Sequence, residues 1–168
     1  MLSVLILAAT PSSRLESAAV SRSLAALVPH AVDGMVRDVH ICAPAASTAL
    51  VHLAEDAGAI IHSSPAAAAL EVKSERILVL QAGMLAFSPV MEEIWQRGLA
   101  QPNSRSVAIA LSSETWSLQA VWRLVFPIIG GAVVSRQQLS GLENLDMAAL
   151  HHRLKAPLLL KATLHKAF

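Results

Sequence analysis

Residues 76–83 read RILVLQAG, and this stretch decides the fold. Its centre, Ile77 to Leu80, is a continuous aliphatic run, which is typical of a strand buried on both faces of a sheet. Gln81 ends the run with a polar side chain, and a lone glycine, Gly83, stands after the strand. We therefore predict a central strand of a parallel sheet that ends near Gln81.

Similar strand-like runs lie on both sides of this segment. They begin near Ser3, Val36, Ala59 and Ser106. Gly130 to Ser135 fits either a further strand or a loop, and residues 158–160 could add a terminal strand. The runs alternate with helix signals, and repeated strand–helix units favour a mainly parallel sheet with helices on both faces.

The helix signals are caps and buried stripes. Ser64-Pro65 and Ser88-Pro89 each place a capping serine before a proline in the first turn, and Gly58 is a typical terminating glycine. Ser13 and Glu16 have the spacing of a capping box. The apolar stripe predicted for the helix behind them consists of Val20, Leu24, Leu27 and Val28. Later helices are predicted around Leu118, Val121 and Trp122, and over roughly residues 145–154.

Composition limits the class of protein. The 168 residues fit one α/β domain, 1–168, and a hydrophobic share of 54% excludes a disordered chain. A net charge of +1 with scattered basic residues gives no basic stripe, so we expect no nucleic-acid partner.

The apolar start of the chain is interpreted as a first buried strand rather than a signal peptide, and no run is long enough for a membrane span. The single cysteine, Cys42, is expected to pack in the core and fits a cytoplasmic protein.

Several kinds of active site have no sequence signature here. The chain has neither a Gly-rich phosphate loop nor a Gly-x-Ser-x-Gly nucleophile turn. No two of its histidines have the helical spacing that aims both rings at one metal, and a helix would point His151 and His152 apart. His40, in the second strand, is expected to be a hydrogen-bonded core histidine.

Ligands of open parallel sheets bind outside the carboxyl ends of the strands, so the residues there matter most. A cation that holds a diphosphate needs oxygen ligands, mainly carboxylates. Three of four strand ends carry none, and the fourth has Glu114. The four ends are Ala9-Thr10-Pro11, Ala43-Pro44-Ala45, Gln81-Ala82-Gly83 and Ser112-Ser113-Glu114.

The order of segments resembles the compact bacterial glycosyltransferases of family 2, which have the GT-A nucleotide-diphospho-sugar transferase fold. This resemblance spans nearly the whole chain and implies a three-layer, Rossmann-like sheet. The alternative is a generic parallel α/β chain. The segments that carry the resemblance are Leu24–Pro29, Val36–Ile41, Ala54–Ala59, Ile77–Ala82, Ser135-Arg136 and Leu142–Asp146.

The chain departs from the family pattern at its functional positions. Ala43-Pro44 stands where the resemblance implies an acidic pair that holds the nucleotide base, and Gly83 where it implies the metal-binding Asp. The catalytic Glu-Asp of the family appears as Glu143-Asn144, and an amide cannot accept the proton of an acceptor hydroxyl. Asp146 or Glu143 could replace the base only if that helix were shifted. Because all these positions follow strands or helices, we expect carboxylates introduced at 43, 44 or 83 to reach solvent.

Two functions remain. The resemblance with these departures implies a catalytically impaired glycosyltransferase-like protein without the family's Mg²⁺ or Mn²⁺, and with a weak nucleotide or sugar site near Ala43, Pro44, Gln81 and Gly83. The alternative is an interaction protein that forms a homo-oligomer or binds a protein partner through the apolar segment Trp116 to Val134. This segment could instead simply cover the sheet as part of the core. An enzyme of unrelated chemistry would need a cluster of residues that the sequence does not contain.

Overall fold

A computed structural model describes residues 1–8, 13–86, 88–110, 129–141, 158–159 and 165–166. Several predictions fall outside these residues. They are the helices around Leu118 and over 145–154, and the site residues Glu143, Asn144 and Asp146.

The described residues form nine strands and five helices. In chain order these are β1 (Leu2–Leu7), α1 (Ser13–Val32), β2 (Val36–Cys42), α2 (Thr48–Ala57), β3 (Ile60–His62), α3 (Pro65–Glu71), β4 (Arg76–Gln81), β5 (Met84–Leu85), α4 (Ser88–Gln96), β6 (Val107–Ala110), β7 (Ile129–Ser135), α5 (Arg136–Ser140), β8 (Leu158–Leu159) and β9 (His165–Lys166).

Seven strands make one sheet in the order β3-β2-β1-β4-β7-β6-β8, and β5 pairs with β9 in a separate two-stranded sheet. Strands β1 to β4 are mutually parallel, as are β6 and β8. β7 runs antiparallel to both of its neighbours, β4 and β6. The prediction of one mainly parallel sheet from the five strand starts is confirmed. The segment from Gly130 to Ser135, left open as strand or loop, is an interior strand.

Helices cover both faces of the sheet, as predicted. On one face, α1, α2 and α4 pack on β-strand side chains such as Ile6 and Leu80. On the other face, α3 and α5 pack on a smaller set that includes Leu5, Cys42 and Val79. Cys42 is 2% exposed, which confirms its expected place in the core.

Two of the predicted helix caps are present, at Ser64 and Gly58, whereas Ser88 lies inside α4 as its first residue. The Ser64 hydroxyl accepts the Ala67 N–H at the start of α3, and Ser47 caps α2 in the same way. Gly58 ends α2 with a φ of 64°, a left-handed conformation that favours glycine. α1 begins at Ser13, as expected.

One detail of the α1 stripe is wrong. Val28, predicted to face the core, is 58% exposed. The residues on the buried face of α1 are spaced four, three, four and three positions apart, and some of them are polar. A prediction from apolar periodicity alone does not include these polar residues. Its buried members are Glu16, Val20, Ser23, Leu27 and His30.

The apolar segment proposed as an interaction surface overlaps β7. Residues 130–134 are buried between β4 and β6, so they cannot contact a partner in the folded protein. The remainder of that surface, residues 116–128, lies outside the described part. Among the described residues, no helix is long and apolar enough to cross a membrane.

Candidate functional site

The strand order reverses beside β1. The chain passes from β1 to β2 and β3 on one side, then crosses to β4 on the other. In parallel α/β sheets, such a reversal opens a crevice at the carboxyl ends of the two strands. Here Leu7 and Gln81 are paired at these ends, and the Ala82 N–H donates to the Leu7 carbonyl at 2.9 Å. We call the carboxyl ends of β1, β2 and β4 the ligand edge.

A tight turn joins β4 to β5 at this edge, and α1 holds it in place. Gly83 has a φ of 86°, where a side chain is strained. The Gly83 N–H donates to the Ser23 hydroxyl oxygen at 3.0 Å. The same hydroxyl donates to the Met84 carbonyl at 2.9 Å. One buried serine therefore satisfies a donor and an acceptor of the turn.

A histidine fixes the next part of the same segment. The His30 Nε2–H donates to the Ala86 carbonyl at 3.1 Å, and the ring is 4% exposed. β5 between these two anchors pairs with β9. Ser23 and His30 of α1 thus bind the backbone of residues 83–86 through hydrogen bonds.

The predicted site residues occupy different environments. Gln81 and Pro44 are exposed at the ends of β4 and β2. Gly83 is buried, and Ala43 is only 4% exposed. Gln81 and Gly83 share one turn, whereas Ala43 and Pro44 are separated from them by β1. The expectation that introduced carboxylates would reach solvent holds for position 44 and is wrong for positions 43 and 83.

A cation and a diphosphate at this edge would need oxygen ligands from nearby side chains. In the described part of the chain, no cluster of three or more His, Cys, Asp or Glu side chains could hold a metal ion. A side chain at position 83 would also have to adopt a positive φ, with its Cβ 3.5 Å from the Ala19 Cβ. These residues do not fit the metal that the resemblance implies.

Among the described residues, a buried carboxylate stands at the start of the helix that follows β1. Glu16 is in the first turn of α1, the helix that follows β1, and it is 8% exposed. The positive end of the helix dipole favours a carboxylate there. Without a bound nucleotide to supply phosphate oxygens, one carboxylate is too few for the ligand number of such a cation.

A second polar cluster crosses the sheet on the face covered by α3. We call it the buried polar chain, and it consists of Ser3, Asp38, His40 and His62. Ser3 donates to Asp38, its cross-strand neighbour, and accepts the Ser74 N–H at 3.0 Å. His40 bonds to Asp38 through Nε2 at 2.9 Å and to His62 through Nδ1 at 2.8 Å. The expectation of a hydrogen-bonded core His40 is confirmed, since its side chain is fully buried.

The charges in this chain are set by its hydrogen bonds. Burial by itself raises the pKa of the Asp38 carboxyl, but hydrogen bonds from Ser3, His40 and the Lys73 N–H outweigh it and hold that pKa below its usual range. Burial lowers the pKa of His62, and the nearby His40 lowers it further, while Glu71 acts in the opposite direction. Asp38 is therefore a carboxylate, and the lowered pKa of His62 favours the neutral form of that ring near pH 7.

Five of these polar residues were not predicted from the sequence: Ser3, Ser23, His30, Asp38 and His62. Ser23 and His30 have a signal, because each stands on the buried stripe of an otherwise apolar helix face. His62 has none, because its partner His40 is 22 positions away and on another strand.

The comparisons with known proteins bear on the fold alone. No family model and no curated protein matches the sequence. The structure is similar to 4-diphosphocytidyl-2C-methyl-D-erythritol synthase from Anaerococcus prevotii, with a TM-score of 0.62, 11% identity, and coverage of 100% of this chain and 90% of that chain.

Two other solved structures give a similar result. 2-C-methyl-D-erythritol 4-phosphate cytidylyltransferase from Thermus thermophilus matches with a TM-score of 0.60 and 20% identity, covering 96% of this chain and 88% of the other. Glucosyl-3-phosphoglycerate synthase from Mycobacterium tuberculosis, solved with Mn²⁺, UDP-glucose and phosphoglyceric acid, matches with a TM-score of 0.62 and 12% identity, covering 100% and 72%. The chain has the nucleotide-diphospho-sugar transferase fold, as the sequence resemblance predicted.

Proposed function

We propose that this protein is a family-2 glycosyltransferase-like chain that binds a nucleotide or nucleotide sugar weakly, without a metal, and is impaired in transfer. The fold is shared with transferases that act on nucleotides and nucleotide sugars, which supports the choice of ligand class. The free, buried thiol of Cys42 supports a cytoplasmic setting.

The turn at Gly83 is the observation that carries this proposal. By resemblance, this position belongs to the metal-binding aspartate. Here it is buried, has a φ of 86°, and uses its N–H to bond Ser23. The backbone is thus arranged for glycine, and its polar groups are satisfied by α1. A diphosphate leaving group needs charge neutralisation that this turn does not supply.

Calorimetric titration of the protein with UDP-glucose, with and without Mn²⁺, tests the proposal. We expect weak binding, with a Kd of roughly 0.1–1 mM, and a change of less than about threefold on adding Mn²⁺. An affinity gain of about tenfold or more with Mn²⁺ would contradict the metal-free site. Absence of any heat change with UDP-glucose and a panel of other nucleotides would overturn the binding part of the proposal.

A gain-of-function variant sharpens this test. Gln81 is exposed at the end of β4, so Gln81→Asp adds a carboxylate at the edge without burying it. Since cations bound to nucleotides take only one or two protein carboxylates, we expect Mn²⁺ to improve UDP-glucose affinity about three- to tenfold in this variant. Gln81→Asn is the matched control and should behave as the native protein. An equal response of both variants to Mn²⁺ would contradict the placement of the ligand at this edge.

The homo-oligomer or protein-partner alternative now depends on residues 116–128 alone. No contact in the described part of the chain favours it. Light scattering over a range of protein concentrations separates it from the first proposal, because self-association predicts a mass that rises with concentration.

A further inference from the structure

The contact between His40 and His62 limits the number of protons that this pair can hold. Asp38 accepts at its carboxylate oxygen, so His40 carries a hydrogen on Nε2. His40 Nδ1 and His62 Nε2 are 2.8 Å apart, which requires one hydrogen between them. With His40 neutral, His62 is the donor. A proton added to the other nitrogen of His62 leaves this hydrogen bond intact.

A second added proton is different. It would place an N–H on each of the two facing nitrogens and a positive charge on each of two rings whose centroids are 5.0 Å apart. Two donors cannot share one hydrogen bond, and like charges at this distance repel. The contact therefore holds with no added proton or with one, and opens with two.

The charged groups around the pair do not remove this limit. Asp38 on β2 bonds His40, and Glu71 at the end of α3 interacts with His62. On α2, His52 and Glu55 form a solvent-exposed pair with each other. Asp38 and Glu71 can each favour a positive charge on the neighbouring ring, but neither accepts the hydrogen that lies between the two rings.

The pair joins a weak edge of the sheet to its interior. β3 is a three-residue edge strand, and its ladder to β2 pairs only three residues of each strand. α3 covers this edge with small side chains, and Cys42 packs under it with Ala68, Ala69 and Val72. Elements with short ladders and little apolar burial open locally at low free-energy cost. Cys42 lies directly opposite His62 in this ladder.

We propose that the His40–His62 pair is a proton-operated latch on the β3–α3 edge, which releases in mild acid and uncovers Cys42 while the rest of the sheet stays folded. Cys42 is the last residue of β2 and precedes Ala43, but the latch rests on the contact between His40 and His62 and so does not depend on the proposed function.

The thiol of Cys42 provides the test, because it is the single cysteine of the chain. Its labelling by 4,4′-dithiodipyridine would be followed from about pH 7.5 to about pH 4.5, with each rate divided by that of the urea-unfolded protein at the same pH. We expect protection of Cys42 to fall at least about tenfold across this range while the far-UV circular dichroism is retained. Protection that is constant with pH, or that is lost only together with the circular dichroism, would overturn the latch.

Two variants separate the latch from general acid sensitivity. The amide of His62→Gln can donate to or accept from His40 Nδ1, so this variant should keep Cys42 protected at both ends of the pH range. His52→Gln removes an exposed histidine and should retain the native pH profile. A native profile in His62→Gln, or a flat one in His52→Gln, would overturn the assignment to the pair. His62→Gln is expected to fold, and the native protein alone already gives a decisive result.

Discussion

The ligand edge and the buried polar chain belong to one sheet but use polar residues in opposite ways. At the edge, Gly83 and Met84 are bonded by a single serine hydroxyl, and the described strand ends offer no metal-binding cluster. In the interior, a carboxylate and two imidazoles are linked in a continuous series of hydrogen bonds. The titratable groups described here thus stabilise the fold more than they equip the edge for ligand chemistry.

Breaking the buried polar chain should have the largest effect. Asp38 accepts hydrogen bonds from Ser3, His40 and the Lys73 N–H. Asp38→Ala leaves these donors unpaired, and we expect a loss of about 3–5 kcal/mol of unfolding free energy, measured by urea denaturation at neutral pH. The control is Glu55→Ala, which removes the carboxylate of the exposed ion pair between His52 and Glu55. This variant should lose no more than about 0.5 kcal/mol of unfolding free energy. Equal costs in the two variants would contradict the comparison.

At the ligand edge, the turn should tolerate little change at Gly83. Gly83→Asp places a side chain at a φ of 86° in a buried position, and we expect a loss of about 2–4 kcal/mol. Gly83→Ala keeps the backbone strain without the charge and should lose about 1–2 kcal/mol. Urea denaturation measures both. A Gly83→Asp protein as stable as the native one would show that the turn can accept the aspartate of the family pattern.

The pH dependence of the unfolding free energy should reveal the lowered pKa of His62. Burial and His40 lower its pKa in the folded protein, so the unfolded chain takes up a proton first as the pH falls below the usual imidazole value of about 6.5. The contribution of His62 is therefore present above that pH and is lost as the pH falls towards the folded-state pKa. Urea midpoints measured across this window should decline in the native protein. In His62→Gln, the decline should be smaller, and an unchanged slope would argue against a lowered pKa.

The smallest effect is expected where the edge is solvent-exposed. Gln81→Asp should change the unfolding free energy by no more than about 0.5 kcal/mol, because position 81 is exposed and is the last ladder position of β4, opposite Leu7. Thermal denaturation of Gln81→Asp beside Gln81→Asn checks this. A loss above about 2 kcal/mol, confined to the aspartate, would mean that the edge buries charge.

The sequence was informative where burial alone decides the structure. Buried strands such as β1 and β4 follow from continuous apolar runs, and the caps at Ser64 and Gly58 follow from local backbone requirements. The antiparallel direction of β7 does not follow from the sequence, because an apolar run of this kind packs equally well parallel or antiparallel to β4.

The site was less predictable for a related reason. That Gln81 is exposed agrees with its place at a strand end, whereas the burial of Gly83 depends on the approach of α1. The His40–His62 contact depends on the alignment of two strands. Such contacts are set by tertiary packing, and the residue types alone do not encode them.

Donor turnover by the native protein tests most directly whether it is impaired in metal-dependent transfer. UDP release from UDP-glucose would be measured with and without Mn²⁺, over long incubation and with a range of sugar and phosphosugar acceptors. We expect no metal-dependent UDP release above the rate measured without protein. UDP release that requires Mn²⁺, stops on chelation and persists in the purified native protein would contradict it.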